Sequence, residues 1–125
     1  MKLTNQIMIA SNVLAVAEAL AFAEKGQLDP QTVLKVLAES TGNSHMLKTY
    51  GAKIFARDYA PGFFVDHFIK DMSIALGEAD ALGLDLASLR NALTQFREVK
   101  KRYGGTQGIQ SVAHLYAQGA RRPRC

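Results

Sequence analysis

The 125-residue sequence has no tryptophan, one cysteine and three prolines, and its aromatic residues are six Phe and four Tyr. With so few large rings, the core must rest on Leu, Ile, Val, Ala and Met. The single cysteine, Cys125, is the last residue. It allows no internal disulfide, so a reducing compartment such as the cytoplasm is the expected setting. β-Branched residues never alternate with polar ones over a strand's length, which points to helix throughout. His45, His67 and His114 are scattered, without His-x-x-x-His, Glu-x-x-His or paired-Cys spacing, so no metal site is expected. No Gly-x-Ser-x-Gly elbow is present, and no glycine fingerprint for a dinucleotide follows a strand.

The charge balance is modest: 15 Lys and Arg against 11 Asp and Glu give a net +4. Three of the positives, Arg121, Arg122 and Arg124, fall in the last five residues. Setting them aside leaves twelve bases against eleven acids, so the body is almost neutral. A basic protein can signal nucleic acid, but here the excess reports a short tail. The cluster Lys100-Lys101-Arg102 closes a helix, and no recognition helix with basic and amide residues is visible, so a helix-turn-helix DNA binder is disfavoured. The opening Met1-Lys2-Leu3 is interrupted by Thr4, Asn5 and Gln6. The apolar stretch that follows carries Glu18 near its middle, which argues against both a signal peptide and a membrane span.

Residues 2–25 contain neither Pro nor Gly and form one long helix, about 36 Å at 1.5 Å per residue. Its apolar residues cover most of the circumference, and its polar ones fall in a stripe of Thr4, Ser11, Glu18 and Lys25, with Asn5 and Asn12 beside it. A helix apolar nearly all round is expected to be buried against several neighbours. Gly26 closes it. Asp29-Pro30 opens a second helix as N-cap and first helical residue, running to about Ser40. Ser44 caps a third, through about Ala56, with a kink expected at Gly51. Tyr59-Ala60-Pro61-Gly62 is a loop. Residues 64–82 form the next helix, with Val65, Phe68, Met72, Ala75, Leu76 and Ala79 inward. Another starts near Asp85, runs through Tyr103 and ends at Gly104-Gly105, and a last one covers about 109–118. The expectation is therefore an all-α domain of about six helices over 1–118, with 119–125 a disordered basic tail.

Two places can carry chemistry. Lys2, Asn5 and Gln6 share one helix face, at spacings of three and four. Lys2 sits in the first turn, the positive end of the helix dipole and the unfavourable end for a cation. A general acid–base lysine needs such a setting, although a solvated lysine at a frayed start would look the same. The second place is Lys70-Asp71 in the 64–82 helix. Adjacent residues project roughly 100° apart on a helix. They are either surface charges, or one reaches a ligand while the other anchors the local backbone.

Taken in order, Lys2-x-x-Asn5, Ala17-Glu18-Ala19-Leu20, Gly26-x-x-Asp29 and Phe68-Ile69-Lys70-Asp71-Met72-x-x-Ala75 resemble the C-terminal helical domain of the β-hydroxyacid dehydrogenases. That group includes 3-hydroxyisobutyrate dehydrogenase and tartronate semialdehyde reductase. The resemblance spans residues 2 to about 117 and implies a fold like the helical C-terminal domain of 6-phosphogluconate dehydrogenase. It implies that Lys2 is the catalytic lysine, exchanging a proton with the substrate hydroxyl as hydride moves to or from nicotinamide. Asn5 and Gln6 then bind substrate, Lys70 lies near the NAD or NADP cofactor, and Asp71 is its structural neighbour. Many members carry a second asparagine where Gln6 stands, and an acid near the turn Gly104-Gly105-Thr106-Gln107-Gly108, which here has none.

The resemblance also implies a preceding Rossmann domain, whose glycine fingerprint is not among these residues. The chain is expected to be a fragment, inactive without that domain, that would act on a small 3-hydroxy acid or a semialdehyde. A homo-oligomer is expected. The alternative is a non-catalytic helical module that only self-associates, its apolar long helix forming an adhesive surface.

Overall fold

A computed structural model describes residues 1–117 of the chain. The tail expected at 119–125 lies outside the described residues. The elements are α1 (Lys2–Lys25), α2 (Pro30–Ala38), α3 (His45–Phe55), α4 (Val65–Ala81) and α5 (Ala87–Tyr103), followed by a 3-10 helix, Ile109–Leu115. Among the described residues the only β-type pairing is a single bridge between Phe64 and Gly108. The domain is all-α, as its sequence pattern predicts.

The middle helices start where their polar caps stand. Asp29 accepts the Thr32 backbone N–H and hydroxyl, each at 2.9 Å, with Pro30 as the first residue of α2. Those two bonds, the backbone one foremost, hold the Asp29 carboxyl below its ordinary range. Ser44 accepts the Leu47 N–H at 3.1 Å and starts α3. Three helices end in the same six-residue closure, in which the N–H groups of a left-handed residue and of the residue after it bond back to the last turn. Only one of those left-handed positions is glycine, Gly83 (φ 74°); the others are Gln27 (φ 62°) and Arg57 (φ 58°). At the end of α1, Gln27 N–H bonds Glu24 O at 3.0 Å and Leu28 N–H bonds Ala23 O at 3.1 Å. Gly26 therefore caps α1, but with φ −77° it is its neighbour that makes the turn.

No break accompanies Gly51, contrary to the expected kink: α3 runs unbroken from His45 to Phe55. The glycine serves packing instead. A Cβ there would come within 2.8 Å of Leu34 Cδ2, so its absence lets α2 and α3 approach.

The first N–H groups of a helix need external acceptors. Phe64 offers no side-chain cap to α4. Val65 N–H bonds Gln107 O at 2.9 Å and Asp66 N–H bonds Gly105 O at 3.0 Å, so the loop after α5 caps α4. Lys100 Nζ pairs with Asp66 at 2.9 Å and ties α5 to the same corner. Beyond it, the expected final α-helix is a 3-10 helix that stops at Leu115. Its start is committed elsewhere. Gly108 N–H bonds Tyr59 O, Ile109 N–H bonds Phe63 O, and the Gln110 amide donates to the carbonyls of Asp58 and Ala60. Five consecutive residues, Ile109 to Ala113, are buried there, a demand that a helix with one buried face does not meet.

α1 is the axis, packed against α3, α4, α5 and the 3-10 helix. By length and composition alone it could cross a membrane, with a mean hydropathy of 1.6 over its most apolar 18 residues. Here Ala10, Val13, Leu14, Val16, Ala17, Leu20 and Ala23 form part of the core. Its far side is not covered by the described residues: Met8 is 62% and Phe22 82% exposed. The all-round burial expected of α1 is thus met on one side only. Opposite, Phe68 of α4 meets Phe96 of α5 edge to face at 5.1 Å, both fully buried.

Candidate active site

The head of α1 lies against the middle of α4. Gln6 faces inward on the same side of α1 as Ala10 and Val13, and is only 6% exposed. On α4, Asp71 falls on the face of Phe68, Met72 and Ala75 and is 8% exposed. A carboxylate so placed needs polar partners to offset lost hydration. Gln6 Nε2 donates to Asp71 Oδ2 at 3.1 Å, and Lys2 Nζ stands 3.5 Å from the same oxygen. Asn5 Nδ2 in turn donates to Gln6 Oε1 at 3.3 Å. Lys2, Asn5, Gln6 and Asp71 therefore form one connected polar cluster at the interface of two helices.

The cluster has a dry end and a wet end. The Asp71 side chain is 12% exposed and that of Lys2 72%. Asn5 is exposed as well, so an amine and an amide are presented to solvent over a buried carboxylate. Such an arrangement holds a protonatable nitrogen in a fixed place while leaving it open to a small molecule.

Lys70 is exposed and makes no ion pair among the described residues. It is one residue from Asp71, which turns toward α1, so the two side chains leave α4 in different directions. The three histidines take separate places, and no group of three metal-type ligands occurs among the described residues. His67 stacks on Phe64, with ring centroids 5.4 Å apart. His114 lies between Tyr59 and Tyr103, at 4.0 and 3.9 Å, with Nε2 3.2 Å from Gln107 Oε1. Burial, with a smaller contribution from Arg57, lowers the His114 pKa below its ordinary 6.5.

Asp71 has a larger part in the cluster than a neighbour of Lys70 would have. Its spacing from Phe68 and Ala75, three and four residues, is the signal that places it on the buried face of α4. The acid-free turn at 104–108 also has a place: its carbonyls cap α4 one and a half turns before Asp71.

This fold is that of a dehydrogenase's helical region. It superposes with a TM-score of 0.85 on a crystal structure of 3-hydroxyisobutyrate dehydrogenase from Salmonella typhimurium, at 26% identity, covering 91% of this chain and 40% of that one. Residues 1–116 match the family described as NAD-binding of NADP-dependent 3-hydroxyisobutyrate dehydrogenase, and the chain belongs to that family. An uncharacterized oxidoreductase of Bacillus subtilis is 36% identical over 117 residues, 94% of this chain and 41% of the relative. The 3-hydroxyisobutyrate dehydrogenase-like protein 1 of Arabidopsis thaliana is 38% identical over 111 residues, 89% of this chain and 33% of the relative. A 2-hydroxy-3-oxopropionate reductase of Escherichia coli is 40% identical over 85 residues, 68% of this chain and 29% of the relative. The chain thus spans well under half the length of these relatives.

Proposed function

We propose that this chain is the helical, substrate-facing part of an NAD(P)-dependent β-hydroxyacid dehydrogenase, and that it turns over only together with a Rossmann domain. Its substrate would be a small 3-hydroxy acid or the corresponding semialdehyde, in a reducing compartment such as the cytoplasm. The observation that carries this reading is the Lys2–Asp71 pair with Gln6 behind it, set at the head of α1 in a chain of this family.

In this reading Lys2 Nζ accepts the hydroxyl proton during oxidation and returns it to the carbonyl oxygen during reduction. Asp71 holds the Lys2 nitrogen in place. Asn5 contacts the substrate. Lys70, exposed and without an acidic partner among the described residues, fits an anionic or carbonyl group of the dinucleotide. The bound nicotinamide supplies the hydride acceptor or donor. The test joins this chain to a dinucleotide-binding domain from a relative and follows NAD(P)H with 3-hydroxyisobutyrate and with 2-hydroxy-3-oxopropionate. Lys2→Ala should lower turnover by about a thousandfold or more while leaving cofactor affinity nearly unchanged. Unchanged turnover would remove Lys2 from the mechanism.

A second reading, self-association into a homo-oligomer, has its own support. Met8 and Phe22 are exposed on α1, and an apolar groove of about 360 Å³ runs between α1 and α2, lined by Ala19, Ala23, Leu28, Val33 and Val36. Sedimentation of the isolated chain should then show a dimer or larger species; a monomer at high concentration would reject it.

A further inference from the structure

The uncovered side of α1 repeats at seven-residue steps. Met8, Ala15 and Phe22 are all exposed, and each step of two turns returns to nearly the same direction, drifting only about 20°. Ser11 and Glu18 flank this line on one side and Asn12 and Ala19 on the other, all four exposed. The two large apolar side chains, Met8 and Phe22, thus stand at equal distances from Ala15, about 10 Å by helix rise. From the alanine outward the face is small in the middle and bulky at both ends.

We propose that this face binds a second copy of the chain, α1 against α1 in antiparallel, across a two-fold axis at Ala15. This rests on the self-association reading given above and deepens it by naming the pairing. Turning one helix end for end about that axis lays Met8 of each copy against Phe22 of the other, a sulfur–aromatic contact made twice. Ala15 meets Ala15, which lets the helix axes approach to about 8 Å, the near end of the range for packed helices. The flanks match as well. Ala19 falls beside Asn12 of the other copy, and Ser11 beside Glu18 of the other copy, where the hydroxyl donates to the carboxylate. A parallel pair would instead bring the two Glu18 carboxylates to one level of the interface, where like charges oppose it.

A stable interface takes about 800 Å² from each partner, more than one helix face supplies. The grooves beside Asn12, Ala15 and Ala19 continue the face onto α2, where Leu28 and Val36 are 57% and 55% exposed. The same two-fold axis brings the α2 residues of both copies to one side of the α1 pair, so they enlarge the contact.

The experiment uses the 125-residue chain with Cys125→Ser, so that every disulfide reports on an introduced cysteine. Sedimentation should give a dimer. One sample then carries Asn12→Cys, a second Ala19→Cys, and a third is an equal mixture of the two; all are oxidised. In the antiparallel pair neither cysteine reaches its own counterpart, since they lie about 9 Å and 12 Å apart along the axis, beyond the roughly 7 Å that a disulfide spans. The mixture should yield a disulfide between positions 12 and 19. A single sample that cross-links as fast as the mixture, or a mixture that stays open, overturns the pairing; a dimer that persists then means association through another surface. A monomer at every concentration removes both the association and the pairing.

Phe22→Asp, at a position exposed in the single chain, should keep the parent's circular dichroism. It should weaken dimerisation by about a hundredfold or more, because two anchors are lost per dimer. A folded Phe22→Asp chain that dimerises like the parent also overturns the proposal.

Discussion

Gln6 and Asp71 lie 65 residues apart in sequence and 3.1 Å apart in space, and their bond joins the head of α1 to the middle of α4. The same carboxylate oxygen serves Lys2 at 3.5 Å. One oxygen thus connects a buried amide, whose loss should be felt by the fold, with an exposed amine, whose loss should not.

Stability and catalysis should therefore separate at these positions. Replacing Asp71 by Ala leaves the Gln6 amide unpaired and buried, and should cost about 1–3 kcal/mol in urea unfolding. Lys2→Ala removes an exposed ion pair worth about 0–1 kcal/mol after solvent screening. Its unfolding midpoint should stay near that of the parent chain. A loss for Lys2→Ala as large as that for Asp71→Ala would show that the pair is structural.

The left-handed residue after α1 offers a gain. Gln27 sits at φ 62° without glycine's freedom, a conformation that costs an L-residue roughly 1–2 kcal/mol, partly offset by glycine's greater unfolded entropy. Gln27→Gly should raise stability by about 0.5–1 kcal/mol. Thermal unfolding followed by circular dichroism checks it. Arg57, at φ 58°, is a poorer target because its guanidinium also pairs with Glu24 at 2.9 Å.

Gly105 should tolerate no side chain. A Cβ there would overlap the Asp66 carboxylate, which is itself held by Lys100. Gly105→Ala should cost about 1–3 kcal/mol by overpacking. Most of that should be recovered when Asp66→Ala is added, because the overlapping atoms are then gone. Additive losses in the double variant would place the strain elsewhere.

His114 should make stability depend on pH. Burial first, and Arg57 second, lower its folded pKa below 6.5, so the folded chain prefers the neutral ring. The unfolded chain takes up the proton first as pH falls. The contribution is complete above about 6.5 and is lost as pH drops from there through the lower folded value. Tyr59, Tyr103 and Gln107 surround the ring and Arg57 acts on it, so no acid compensates the charge from these neighbours. Urea midpoints measured between pH 7.5 and 5 should fall for the parent and fall less for His114→Gln. Parallel slopes would mean that another group is responsible.

What could be seen in the sequence was mostly what local chemistry decides. Asp29-Pro30 and Ser44 fix helix starts through bonds spanning three residues, and both caps stand where the pattern places them. Lys2 and Lys70-Asp71 drew attention by position and by resemblance. Contacts between distant segments were not visible. Nothing near Gly51 says that Leu34 will press against it, so a packing glycine resembled a kink. The span 109–118 has helical composition, but its fate is set by carbonyls at Asp58, Tyr59, Ala60 and Phe63. Likewise the partner of Asp71 could not be named from α4 alone. The nearly all-round apolar surface of α1 predicted burial against several neighbours, and did not show that Met8 and Phe22 would be exposed.

The stitching of Gly105 and Gln107 to the first turn of α4 has a mechanical result. A peptide that follows the last long helix clamps the beginning of the helix that carries the carboxylate. Loosening at positions 105–108 would travel along a rigid rod and be felt as a displacement of the amine's anchor. Glycines far from any reacting atom thereby become part of the jig that sets it.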